Sequence, residues 1–127
     1  MVEFALLAPV FVFLIMGIVD YGVAARNRAA LDAAARTGLQ VLIADYNDEA
    51  EAEASAAVVA PDADVDVSVA CVCSDGAVVD CASGTCASGV PRRIATVIVT
   101  QDHTLVFPWP GIADPLQLTA TAVGRAQ

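Results

Sequence analysis

Four cysteines, one histidine and a few isolated acids are the residues of this 127-residue chain whose types could do chemistry. Cys71, Cys73, Cys81 and Cys86 fall within sixteen residues. Their C-x-C and C-x-x-x-x-C spacings lack the paired C-x-x-C of common zinc sites. An even number of cysteines behind an export-type start reads instead as disulfides made in an oxidising compartment. Three pairings are open; the nested one, 71–86 with 73–81, is the expectation. His103 is the only histidine and stands beside Asp102. No GxSxG or Cys-His signature accompanies it, so it reads as an exposed polar residue at a strand end. Asp62, Asp64 and Asp66 could suggest calcium. Alternation along a strand explains the same spacing, and the glycine and terminal glutamate of an EF-hand loop are missing. We therefore expect no catalytic residue, no metal and no cofactor.

Glu3 and Asp20 carry more information, because both sit in apolar surroundings. Residues 4–19 hold no charge, and apolar character continues past Asp20 to Ala25. As a helix, residues 4–25 span roughly 33 Å, about the thickness of a bilayer core. A cleaved signal peptide would have a basic start and a shorter core; here the start is acidic and the helix pattern runs on. A retained membrane helix is the expectation. Glu3 is then either an unpartnered interfacial residue or a registration device that pairs with a cation on a neighbouring subunit. Asp20 either lies among headgroups or pairs with Arg26 or Arg28 of a neighbour.

Composition narrows the partners. Net charge is −9, with fifteen acidic against six basic residues and no lysine. That excludes nucleic acid, whose phosphates need clustered cations. Apolar residues make up 57% and mean hydropathy is +0.66, with the excess concentrated at the N-terminus.

The elements that must position these residues follow from periodicity. Residues 2–45 read as one helix on the order of 66 Å long, kinked at Pro9. Gly17, Gly22 and Gly38 are weak points that also let helices approach closely. Alanines 29, 30 and 33–35 favour helix and leave it slim, and Leu31, Leu39 and Leu42 supply bulk for packing. After a break at 45–48, Asn47 is the expected N-cap of a short helix over 48–60, which stops before Pro61. Residues 62–73 switch to period two: Ala63, Val65, Val67, Val69, Cys71 and Cys73 share one face. Asp75-Gly76 marks a turn, and residues 77–90 form the excursion carrying Cys81 and Cys86. Residues 92–101 read as a central strand, apolar on both faces. Prolines 108 and 110 make residues 105–111 a loop. Its Phe107 and Trp109 are either core plugs under the sheet or a contact with a neighbouring subunit. Residues 115–125 form a third strand, with Leu116, Leu118, Ala120 and Ala122 on one face. The expected fold class is α+β: a long N-terminal apolar helix packed on a small antiparallel β-sheet. Three regions follow: 1–25 the membrane or filament-core helix, 26–60 its continuation and the second helix, and 61–127 the sheet head with its disulfide loop.

Val2-Glu3-Phe4-Ala5-Leu6-Leu7-Ala8-Pro9 and Gly17-Ile18-Val19-Asp20-Tyr21-Gly22 resemble the start of TadE/TadG-like pilin-related proteins of the bacterial Tad (Flp) system. Phe107-Pro108-Trp109-Pro110-Gly111 and Leu116-Gln117-Leu118-Thr119-Ala120-Thr121-Ala122 resemble the end of the same family. The resemblance implies a precursor whose basic leader is cut by a prepilin peptidase and a glutamate at the fifth mature position, a role that falls here on Glu3. A lost basic leader also reconciles Arg26 and Arg28, which follow the helix, with the positive-inside rule. The expected function is a pilin or minor pilin, anchored in the inner membrane by its helix and then packed into an extracellular filament. Its partners would be other copies in a helical homo-oligomer, other pilins, the assembly machinery and, before assembly, the membrane. Glu3, Phe4, Pro9, Gly17, Asp20, Gly22, Arg26 and Arg28 are the expected subunit-packing positions. The alternative is a membrane-retained assembly or anchoring factor that does not polymerise. A third class, a periplasmic binding or enzymatic domain on a tether, would need a pocket with convergent polar groups, and the sequence offers none.

Overall fold

The computed structural model describes residues 2–107 and 109–126, with side chains from Leu7 onward. The first helix, α1, is Val2–Ala44, and the second, α2, is Glu49–Val59. Four strands follow: β1 Asp64–Val72, β2 Val78–Val79, β3 Arg92–His103 and β4 Leu116–Ala126. They form one antiparallel sheet in the order β2-β1-β3-β4. This is the expected α+β arrangement, with the expected central strand in place.

At 43 residues α1 is about 64 Å long at ~1.5 Å per residue, and it remains helical through Pro9. Among the helices and strands, only its C-terminal half has partners. There it crosses β3 and β4, while α2 covers β1. Leu31, Ala34, Ala35 and Leu42 of α1 enter a single core with Ala52, Ala56 and Ala60 from the α2 side, Ala95, Val97 and Val99 of β3, and Ala120 and Ala126 of β4. Small side chains dominate this core, so the elements pack backbone-close. Gly38 is the tightest point. A Cβ there would lie 3.0 Å from the Ala52 carbonyl oxygen and 3.4 Å from Val97 Cγ1.

The break between the helices differs from expectation by one residue. Asp48, not Asn47, caps α2, accepting from the Glu51 amide at 3.1 Å. Asn47 is already engaged: its backbone N–H and its Nδ2 both donate to Asp45 Oδ1, at 2.9 and 3.3 Å. Asp45 thus forms the turn and leaves the cap to the next acid.

The cysteine pairing also differs. The bonds are Cys71–Cys81 and Cys73–Cys86, interleaved rather than nested. The cause is β2, a two-residue strand that sequence periodicity did not reveal. Gly76, at φ 88°, reverses the chain. Val79 then lies opposite Cys71. Next, Asp80 Oδ1 accepts from the Ala82 and Ser83 amides and the Ser83 hydroxyl, at 2.9, 2.8 and 2.9 Å. This turn ends the hairpin beside Cys71, so Cys81 meets Cys71 first. The chain then doubles back, Ser88 meets Ser74, and Cys86 reaches Cys73.

Leu42 is fully buried, so Leu42→Ala should lower the stability of the head by ~2–5 kcal/mol in urea denaturation followed by circular dichroism; a loss under about 1 kcal/mol would place the core elsewhere. The three donors at Asp80 hold its carboxyl below the usual carboxylate range, with the Ser83 amide the largest cause. A depressed folded value contributes stability above the unfolded value and loses it as pH falls through the folded one. The Ser83 amide should therefore stay protected from hydrogen exchange at neutral pH and lose protection in acid below the ordinary aspartate range. Protection independent of pH would contradict this turn.

Candidate functional site

The N-terminal half of α1 is an apolar rod without a partner along most of its circumference. Phe11, Leu14, Ile15, Ile18 and Val19 all expose half or more of their surface. Among the described residues this is the one helix long and apolar enough to cross a membrane by length and composition. Of the expected packing positions, Pro9 and Gly22 lie on its open surface, and nothing approaches within 4 Å of a Cβ built at Gly22. Arg26 and Arg28 are exposed. Arg28 Nε lies 3.7 Å from Asp32 Oδ1, one turn on, a surface pair of little energetic weight. The side chains of Glu3 and Phe4 lie outside the described residues.

One stripe of the rod is covered, by the loop between β3 and β4. At its centre stands Asp20, only 5% exposed. Asp20 Oδ1 accepts from the Val106 amide at 2.9 Å, and Oδ2 accepts from Trp109 Nε1 at 2.8 Å. Each carboxylate oxygen thus has a donor, and both donors come from this chain, some 86 and 89 residues away in sequence. A buried carboxylate without such donors would be strongly disfavoured, and hydrogen bonds to an ionised acceptor are the strong kind. Neither expected partner for Asp20, headgroups or a neighbour's arginine, is the one found within the chain.

Phe107 and Trp109 complete the arrangement. Their rings meet edge-on at 5.4 Å between centroids, and Phe107 meets Phe13 edge-on at 6.1 Å. Trp109 also lies over Gly17, where a Cβ would sit 3.6 Å from its ring, at ordinary contact distance. The two aromatics are therefore not plugs under the sheet. They lie on their own α1, ahead of the sheet's edge. A largely apolar cleft of about 340 Å³ remains between Gly17, Tyr21 and Ala24 on the helix and Leu105, Trp109 and Ile112 on the loop. The loop's base is tied by Asp114 Oδ1, which accepts from the Leu105 amide at 3.2 Å.

Above the clasp a second polar contact joins helix and sheet. Asn27 Nδ2 and His103 Nδ1 lie 3.2 Å apart. His103 is 7% exposed and closes β3, so the expected exposed strand-end histidine is corrected to a buried one. The signal was present: Ala95, Val97, Val99, Gln101 and His103 continue one period-two face. Val106 and Asn27 carried no signal, because a backbone amide donor and a helix-to-strand contact depend on tertiary placement. The three aspartates at 62, 64 and 66 lie on the exposed side of the strand and the residues leading into it.

Substituting Asp20 by alanine should free the loop. Trp109, the only tryptophan, would shift its emission to longer wavelength and become more accessible to acrylamide. Unchanged emission and quenching would show that the aromatics hold the loop without the carboxylate.

Residues 1–40 match the family model described as TadE-like protein. The resemblance expected from the start of the sequence is thus borne out over residues 1–40, the apolar rod and the first part of its packed continuation; the segment at 107–122 lies outside the match. No curated protein and no solved structure matches the chain.

Proposed function

We propose that this TadE-like chain is a structural subunit of the bacterial Tad pilus system, a pilin or minor pilin. Its helix is anchored in the inner membrane before assembly and packs afterwards into the core of an extracellular filament. The observation that carries this reading is the largely uncovered rod: the apolar half of α1 projects from a head whose core cluster takes nothing from it. So much exposed apolar surface requires a lipid or protein environment. Leaving lipid costs burial that helix–helix packing in a polymer must replace. The disulfide-bearing head suits an oxidising exterior. The reading involves no catalytic step.

A second reading, a membrane-retained assembly or anchoring factor, is favoured by one specific observation. The stripe of α1 around Gly17 and Asp20, where neighbouring subunits were expected to pack, carries the chain's own loop. A filament built on that stripe would have to displace it, whereas a protein that stays in the membrane would not.

Shearing surface filaments from the native cell, imaging them and identifying their subunits by mass spectrometry separates the two. The first reading expects this chain among the filament subunits, with N-terminal sequencing giving a processed start. Recovery from the membrane fraction alone would contradict it and fit the second reading.

A further inference from the structure

We infer that the loop over residues 105–112 is itself a membrane contact: a wedge that enters the outer part of the lipid bilayer beside α1 and gives the head a second attachment point. The inference rests on the membrane-anchored state described above and goes beyond it by assigning lipid as the partner of a segment outside the helix.

Three observations carry it. First, the loop's outward surface is apolar and continuous with the rod. Val106 is 72% and Ile112 51% exposed, next to the open helix residues Ile15, Val19 and Tyr21. No charge occurs from Thr104 to Ala113, an unusual stretch for a loop that is meant only to face water. Second, its depth fits. Contact with the helix extends from Asp20 to Phe13, about 10 Å along the axis at ~1.5 Å per residue. With Asp20 at headgroup level, one of the two placements expected for it, that is the depth to which interfacial apolar elements enter a bilayer, and Trp109 with Tyr21 supplies the aromatic pair typical of that level.

Third, part of the loop's backbone already has partners, which lowers its cost of entering lipid. Irregular chain is excluded from hydrocarbon when its polar groups lack partners. Pro108 and Pro110 have no N–H to satisfy. The amide of Leu105 donates to Asp114, that of Val106 to Asp20, and that of Ile112 to the Trp109 carbonyl at 3.2 Å. In this light the aspartate in the rod acts as an acceptor that equips the wedge for the interface. The apolar cleft between loop and helix lies open beside it and has the lining an acyl chain would need.

The test uses the full chain in vesicles of phosphatidylcholine and phosphatidylglycerol, with or without bromine near the middle of the acyl chains. Trp109 is the sole native fluorophore of its kind. Brominated lipid should quench its emission strongly while acrylamide in the water phase quenches it weakly, and V106D/I112D should weaken the lipid quenching. A Trp109→Phe, Val12→Trp chain places the only tryptophan in the rod. Quenching at position 12 without quenching at Trp109 overturns the wedge and leaves the anchored helix standing. Absence of quenching at both overturns the anchored reading as well. A Trp109 shielded from lipid and from acrylamide alike would mean that a second copy covers the loop, and that also overturns the inference. Lipid quenching that V106D/I112D leaves unchanged would locate the tryptophan in lipid without the wedge and would overturn it too.

Discussion

A carboxylate set into an apolar rod must find donors, and the arrangement of this molecule follows from how Asp20 finds them. Water is the usual source at a surface, but Asp20 is covered. Its two oxygens take a backbone amide and an indole N–H from the loop that joins the two longest strands. That choice fixes the loop along the helix, brings Phe107 onto Phe13 and lays Trp109 over Gly17. The aspartate thus divides α1. Beyond it, toward Ala44, the helix belongs to the head. Before it, outside the stripe under the loop, the helix is available to lipid or to other chains.

The head is built on the opposite principle: close packing of small groups. Alanine supplies two thirds of the core cluster, and Gly38 removes the one side chain that would hold α2 and β3 away. A slim helix can thereby serve as both rod and core element without a change in geometry at the boundary. The two disulfides lie at the far edge of the sheet, where a hairpin of two residues per strand could not hold by itself. Each cross-link of this size is worth ~2–4 kcal/mol against the unfolded chain. Their place is the strand edge most remote from β4, so the clasp and the disulfide loop act on opposite sides of the molecule.

Much of this was legible in the sequence because it depends on period and composition. The uncharged run at 4–19 declared the rod, the alternation at 63–73 declared β1, and the two-sided apolar pattern at 92–101 declared a central strand. What failed to appear depended on contacts between distant segments. The interleaved disulfides follow from β2, too short to show a period. The cap moved from Asn47 to Asp48 because Asp45 had already engaged Asn47. His103 looked like a surface residue because its strand seemed to end two residues early. Asp20, Phe107 and Trp109 were each recognised as notable, yet no local pattern could join residues almost ninety positions apart, and for Asp20 only headgroups or a neighbour's arginine offered themselves.

The central claim is that the rod's aspartate, through the loop it holds, organises the junction between head and helix. Hydrogen exchange at the Trp109 indole N–H, a single resonance in this one-tryptophan chain, reads that contact directly by NMR in lipid nanodiscs. The account predicts a slowly exchanging indole proton that becomes fast in Asp20→Ala, while the core amides of β3 keep their protection. An indole proton that exchanges at the rate of an exposed tryptophan in the unaltered chain would contradict it.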